Sequence, residues 1–252
     1  MRGHREPPAL EVHALTGPEG HVIIENVDMV VPHGATHVVL GPIHSGKSML
    51  MRHLLGLERA LSGTVRIEGE VFDATRTSES DLRRLRTRIG VVFEGSALLS
   101  RLTAVENVEL PLLEHTEVGD EDARETAQEL LAEVGMRSGA DATPAQLGRA
   151  EQRRVALARA LALRPAVMLL DEPTLGLDPH SAAELDDLIT RIQRARGCGV
   201  VIFSHEVRYA FGRAEYIYVM SDGVVVEEGA RDAVQRCEHP IVRQLLDRRG
   251  TR

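Results

Sequence analysis

The sequence predicts an α/β protein: a parallel sheet with crossover helices, a smaller antiparallel β region and an inserted run of helices. Three observations carry this expectation. A buried-strand run, "THVVL" (Thr36 to Leu40), is followed after a glycine-rich turn by helical periodicity in "MLMRHLLGL". Two further apolar runs, Val167 to Leu170 and Gly199 to Phe203, flank the helical pattern "SAAELDDLITRIQRA". Strands alternating with helices in this way imply parallel pairing. Between them, from Ser96 to about Leu161, helical patterns and loops leave little strand signal.

Taken in order, Val22 to Val31 is β-branched with polar interruptions and reads as a strand, and Gly56 marks the end of the helix that follows "THVVL". "GTVRIEGEVF" reads as strand and turn, and "LRRLRTRIGVVF" as a short basic helix feeding a strand from Ile89 to Phe93. "DEDARETAQELLAEVG" is amphipathic: Ala123, Ala127, Leu130, Leu131 and Val134 share a face, Asp120 is placed to cap its start, and Gly135 its stop. "YIYVMSDGVVVEEG" reads as a hairpin turning at Asp222-Gly223, and two short helices follow.

Composition narrows the function. A chain of 252 residues with 43% apolar and 27% charged residues can bury a sizeable core. The formal net charge of -8 and the 3% aromatic content argue against nucleic acid as the main partner, because phosphate tracking needs a basic face. Cys198 and Cys237 have no metal spacing and read as two free thiols in a reducing compartment. "MRGHREPPALEVHAL" lacks the apolar run of a signal peptide, and no stretch approaches the roughly 20 apolar residues of a membrane span. Membranes would therefore enter through a partner. Among 30 basic residues only Lys47 is a lysine, so that position is a candidate for chemistry arginine cannot do.

"GPIHSGKS" (Gly41 to Ser48) fits the phosphate loop G-x-x-x-x-G-K-[ST], after a strand and opening a helix as that motif requires. Gly41 and Gly46 allow successive N–H groups to face a phosphate, and the helix adds its positive end. The residues expected to hold the nucleotide are Gly41, Pro42, Ile43, His44, Ser45, Gly46, Lys47, Ser48 and Met49. Lys47 would reach the β- and γ-phosphates and Ser48 would ligate Mg²⁺; for His44 a simple exposed position is the plainer reading. "AVMLLDEP" ends a buried strand in two acids. Asp171 is expected to hold Mg²⁺ through water, and Glu172 to act as general base toward the attacking water.

"LLDEPTLGLDP" followed by "VVIFSHEV" resembles the ATP-binding cassette (ABC) ATPases, and the likeness covers nearly the whole chain. The resemblance implies a RecA-like P-loop NTPase core of ABC ATPase type with an antiparallel β region and an inserted helical subdomain. It divides one domain over 1–252 into a catalytic core (1–95 and 162–222), a helical subdomain (96–161) and a C-terminal hairpin with helices (223–252). It also implies Mg-ATP hydrolysis, a homo- or heterodimer of ATPase subunits, and integral membrane permease partners at the inner face of the cytoplasmic membrane. Leu175 to Asp178 would touch the opposite subunit, and His205 would contact the γ-phosphate. "VVFEGSALLSRLTAVENVELPLLEHT" (Val91 to Thr116) is similar to the Mla/Mce-type ATPases, which energise lipid movement between membranes; polar-amino-acid importers share parts of it, and "EHPIVRQLLD" is importer-like.

Three departures accompany the resemblance. The family signature Leu-Ser-Gly-Gly is here Leu147, Gly148, Arg149, Ala150, which lacks the hydroxyl that caps a γ-phosphate across the dimer. Slow hydrolysis is the expectation for a homodimer, and an intact partner would rescue it in a heterodimer. Glu94 replaces a glutamine and is expected to ligate Mg²⁺. The aromatic that stacks on adenine is missing, with Leu15 or His13 near its place. A nucleotide-binding regulatory or assembly subunit with little turnover is the alternative; a soluble DNA-repair or translation ATPase is disfavoured by the single acidic cassette.

Overall fold

The structure is a computed structural model that describes residues 6–17, 24–76 and 78–247. In chain order the elements are β1 (Leu10–Thr16), β2 (Val27–Val31), β3 (Thr36–Leu40), α1 (Lys47–Leu54), β4 (Ser62–Ile67), β5 (Glu70–Asp73), α2 (Glu79–Thr87) and β6 (Ile89–Val92). There follow α3 (Ala104–His115), α4 (Asp120–Glu133), α5 (Arg149–Leu161), β7 (Val167–Asp171), α6 (Pro179–Arg196), β8 (Gly199–Ser204), α7 (Val207–Arg213), β9 (Tyr216–Ser221), β10 (Val224–Ala230), α8 (Arg231–Arg236) and α9 (Pro240–Asp247). The chain forms two compact units, one from Met1–Arg86 with Cys198–Arg252, the other from Thr87–Gly197.

The first unit holds an antiparallel sheet in the order β2-β1-β4-β5 and a second layer in which β9, β3 and β8 run parallel with β10 antiparallel at the edge. β3 and β8 are apolar on both faces, with Val38, Val39, Val200, Val201 and Phe203 fully buried, as a covered parallel sheet requires. β9 and β10 form the expected hairpin, with Asp222 at φ 48° and Gly223 at φ 84° supplying its tight turn. The strand expected over Val22 to Val31 is shorter: it begins at Val27, because Asn26 turns the backbone to φ 49°, while 22 and 23 lie outside the described residues.

The second unit pairs β6 and β7 in parallel and packs α3, α4, α5 and α6 around them. Between β6 and β7 every regular element is helical. The α4 face of Ala123, Ala127, Leu130, Leu131 and Val134 is buried as its periodicity predicts. Asp120 is not the cap: Gly119, extended at ψ 162°, precedes the helix, and Asp120 already lies in its first turn with Glu121 and Asp122. There the three acids face the positive end of the helix dipole.

Candidate functional site

In the first unit, the loop after β3 is held tightly at its base. The Gly41 N–H donates to Ser204 O at 3.2 Å, and a methyl group on Gly41 would lie 2.2 Å from Met220 O. No side chain fits there. The loop then turns through Ile43, which is 70% exposed, and His44, exposed at φ 68°. Gly46 precedes α1 at φ 103°, a left-handed conformation that glycine adopts without strain, and no side chain caps the helix at that point. The first-turn N–H groups of Lys47, Ser48 and Met49 thus meet the geometric requirement of an anion cradle. Lys47 Nζ folds across the loop and donates to Gly41 O at 2.8 Å, Pro42 O at 2.9 Å and Ser45 Oγ at 3.4 Å. The Ser48 side chain lies at an exposed position.

His205 leaves the sheet at the same end. β3 and β8 pair in parallel with Leu40 opposite Ser204, so the phosphate-type loop and His205 depart from adjacent strand ends. Ser204 Oγ accepts the Glu206 N–H at 3.1 Å and so fixes the turn that carries the half-buried His205.

In the second unit the same arrangement recurs. β6 and β7 pair with Val92 opposite Leu170, so Glu94 and the Asp171-Glu172 pair leave one end of that strand pair. Glu172 is 9% exposed and sits at φ 42°. A non-glycine residue held there stores strain, and such outliers concentrate at functional sites. Glu94 is exposed on the loop after β6, whose Ser96 and Ala97 also have positive φ.

That loop is pinned from α5 by two arginines the sequence reading passed over as helix. Arg153 Nη1 donates to Phe93 O at 2.9 Å and Ser96 Oγ at 3.1 Å, and Arg159 donates to Ala97 O at 2.7 Å and Ser96 O at 2.9 Å. Burial lowers the Arg153 pKa, nearby Glu94 and Asp171 oppose that shift, and Arg149 adds to it. The visible signal was Arg159 set alone in the apolar run Val155 to Leu161, six residues after Arg153. Glu94, Gly95, Ser96, Arg149, Gln152, Arg153, Leu175 and Gly176 together line an open groove of about 420 Å³.

At the start of α5, Gly148 is the N-cap, and its N–H donates to Glu151 Oε2 at 2.8 Å. This is half of a capping box, since glycine has no hydroxyl to return the bond. Of the two residues placed near an adenine, Leu15 is fully buried and offers no stacking face; a register shift in β1 turns it inward. His13 is about half exposed, its Nδ1 3.8 Å from Asp28.

Each unit carries donors of a kind that suits Mg²⁺ or a triphosphate. Among the described residues no three His, Cys, Asp or Glu gather into a metal cage. Mg²⁺ bound with phosphates needs only one or two protein oxygens, and the Ser48 hydroxyl and Asp171 carboxylate are of the right hard-oxygen type. Among the described residues no helix is long and apolar enough to cross a membrane.

Comparison with known proteins follows the same lines. The family model described as "ABC transporter" matches residues 24–175. The chain is 37% identical over 223 residues to the glutamate transport ATP-binding protein GluA of Corynebacterium glutamicum, covering 88% of this chain and 87% of the relative. It is 34% identical over 225 residues to the intermembrane phospholipid transport system ATP-binding protein MlaF of Escherichia coli K12, covering 89% and 83%. Against the methionine import ATP-binding protein MetN of Chromohalobacter salexigens it is 39% identical over 212 residues, 84% of this chain but only 60% of that longer relative. Among solved structures, the dimeric post-hydrolysis ATP-binding cassette MJ0796 bound to ADP and Pi superposes with a TM-score of 0.77 at 31% identity, covering 88% of this chain and 98% of that one.

Proposed function

The chain belongs to the ABC transporter family as its ATP-binding cassette, and on that premise we propose that it is the subunit that powers lipid movement across or between membranes. It is an ABC-type ATPase that uses Mg-ATP, dimerises and works with integral membrane permease subunits. Its place is the inner face of the cytoplasmic membrane, reached through the permease.

The observation that carries the site assignment is the loop from Gly41 to Ser48: a helix N-cap without a side chain, a folded-over ammonium and an exposed hydroxyl within one turn of backbone. Gly41, Gly46 and the first N–H groups of α1 bind the phosphates, and Lys47 leaves its loop carbonyls to neutralise the β- and γ-phosphate oxygens. Ser48, Asp171 and Glu94 are the residues that would hold Mg²⁺, which would supply further charge neutralisation when bound. Glu172 orients a water for in-line attack on the γ-phosphorus and accepts its proton. The bond to the bridging oxygen breaks, and ADP and phosphate leave. His205 contacts the γ-phosphate and reports its loss.

Two measurements test this assignment. Lys47→Ala should abolish calorimetric Mg-ATP binding, and Glu172→Gln should bind ATP but not turn it over. Equal affinity in wild type and Lys47→Ala would refute the assignment of the loop.

The lipid reading rests on Val91 to Thr116 and on MlaF among the relatives. Amino-acid import is the second reading, favoured by the higher identities to GluA and MetN. Reconstitution with the cognate permease separates them: labelled phospholipid should move with ATP, whereas movement of glutamate or methionine alone would refute the lipid reading. A regulatory subunit with little turnover is a third, favoured by Gly148-Arg149-Ala150 in place of a hydroxyl-bearing start to α5. Steady hydrolysis by the purified chain would exclude it.

A further inference from the structure

We propose that Arg149 is a positioning residue for Glu172, acting through the turn from Glu172 to Leu177. The proposal rests on the reading of Glu172 as the general base.

Gly176 sits in that turn at φ +76°, and a methyl group built on it would lie 2.8 Å from Arg149 Nη1. The guanidinium therefore lies directly against the glycine. The turn is hydrogen-bonded end to end: the Leu175 N–H donates to Glu172 O at 3.1 Å, and the Leu177 N–H to Thr174 O at 3.2 Å. A contact at Gly176 is thus two bonded steps from the backbone of Glu172. Glu172 is held at φ 42°, which an L side chain keeps only when its surroundings over-determine it.

At the other end the helix start is tied down, while the Arg149 side chain lies at an exposed position. Arg149 is the first residue of α5, and the Gly148 N–H ahead of it is tied to Glu151 at 2.8 Å. α5 packs on β6, α3, α4 and α6. Helix electrostatics do not explain an arginine here. A cation at the positive end of a helix is disfavoured, and Arg153 one turn along adds a like charge. What Arg149 reaches instead is a backbone that has no side chain, its Nη1 2.8 Å from where a Gly176 methyl would sit. Any side chain at Gly176 would push it away.

Steady-state Mg-ATP hydrolysis by the full chain tests this with Arg149→Ala, Gly176→Ala and the double variant, melting curves confirming that each folds. Arg149→Ala should lower kcat about fivefold with KM for ATP within about twofold, the split expected of a displaced base. Gly176→Ala should lower kcat too, and in the double variant the two losses should not multiply, because both remove one contact. Arg149→Lys, which keeps the charge but not the plane, should behave like Arg149→Ala. Independent, multiplying losses would overturn the proposal. So would a rise in KM at unchanged kcat that Arg149→Lys reverses, since that pattern means direct contact with nucleotide. Glu172→Gln is the control. If it hydrolyses ATP like wild type, the base assignment fails and the proposal with it. If it is inactive while Arg149→Ala keeps wild-type kcat, this proposal alone fails.

Discussion

His37 should make the fold sensitive to mild acid. It lies in β3 opposite Val201 and Tyr216, 6% exposed, its ring stacked on Tyr216 at 5.2 Å, and its Nδ1 is buried without a hydrogen-bond partner. Burial pulls its pKa from 6.5 to about 4. The folded state therefore keeps a neutral ring while the unfolded chain takes up a proton below pH 6.5. Stability contributed by His37 is full above pH 6.5 and is lost as the pH falls toward 4. Each pKa unit is worth about 1.4 kcal/mol, so the loss reaches about 1.4 kcal/mol at pH 5.5 and about 2.5 kcal/mol at pH 4.5. Urea unfolding of wild type and His37→Phe at pH 7.5, 5.5 and 4.5 measures it. The variant keeps an aromatic ring against Tyr216 but cannot titrate. The gap between the two proteins should move in the variant's favour by those amounts. Parallel pH profiles would refute the reasoning.

Four further outcomes are expected. Lys47→Ala should lose Mg-ATP binding by calorimetry, because its ammonium is the charge that crosses the phosphate-type loop. Glu172→Gln should retain binding while turnover, followed by phosphate release, falls by about 100-fold or more, the usual worth of a general base. Gly148→Ser completes the capping box with Glu151 in a site where the added carbon meets only Glu151 Oε2 at 3.5 Å. It should raise stability by about a few tenths of a kcal/mol in urea titration. Arg159→Ala strips the donors from Ala97 O and Ser96 O and should destabilise by about 1–3 kcal/mol, read by the same titration.

The parallel strands were legible because burial on both faces writes them as unbroken apolar runs; Val38, Val39, Leu169 and Leu170 needed no context. The loop before α1 was legible because its glycines and lysine must fall at fixed offsets from strand and helix. Errors fell where one residue's backbone decides the outcome. Asn26 ends the extended run ahead of β2 through its own φ, and a register shift in β1 turns Leu15 inward. Alternation alone predicts neither. The relations of Arg149 to Gly176, and of Arg153 and Arg159 to the loop bearing Glu94, join segments that are 27 and about 60 residues apart. Local periodicity carries no trace of such pairs. The strain at Glu172 was hidden for the same reason, since a strand-ending acid pair reads alike at any φ.

Lys47, whose ammonium lies across Gly41 O and Pro42 O, is 8% exposed as a residue and carries the only ε-amine in the sequence. Each of the other 29 residues in the Lys and Arg count is an arginine, whose guanidinium stays protonated and does not acylate under conditions that modify a lysine. An ATP-like reagent carrying a reactive acyl phosphate would therefore have one side-chain amine to mark. The mass of the intact protein would then report fractional occupancy of this loop directly, with excess ATP as the competitor. Dimer asymmetry, partner effects and the consequences of Arg149 variants could all be followed from that one added mass.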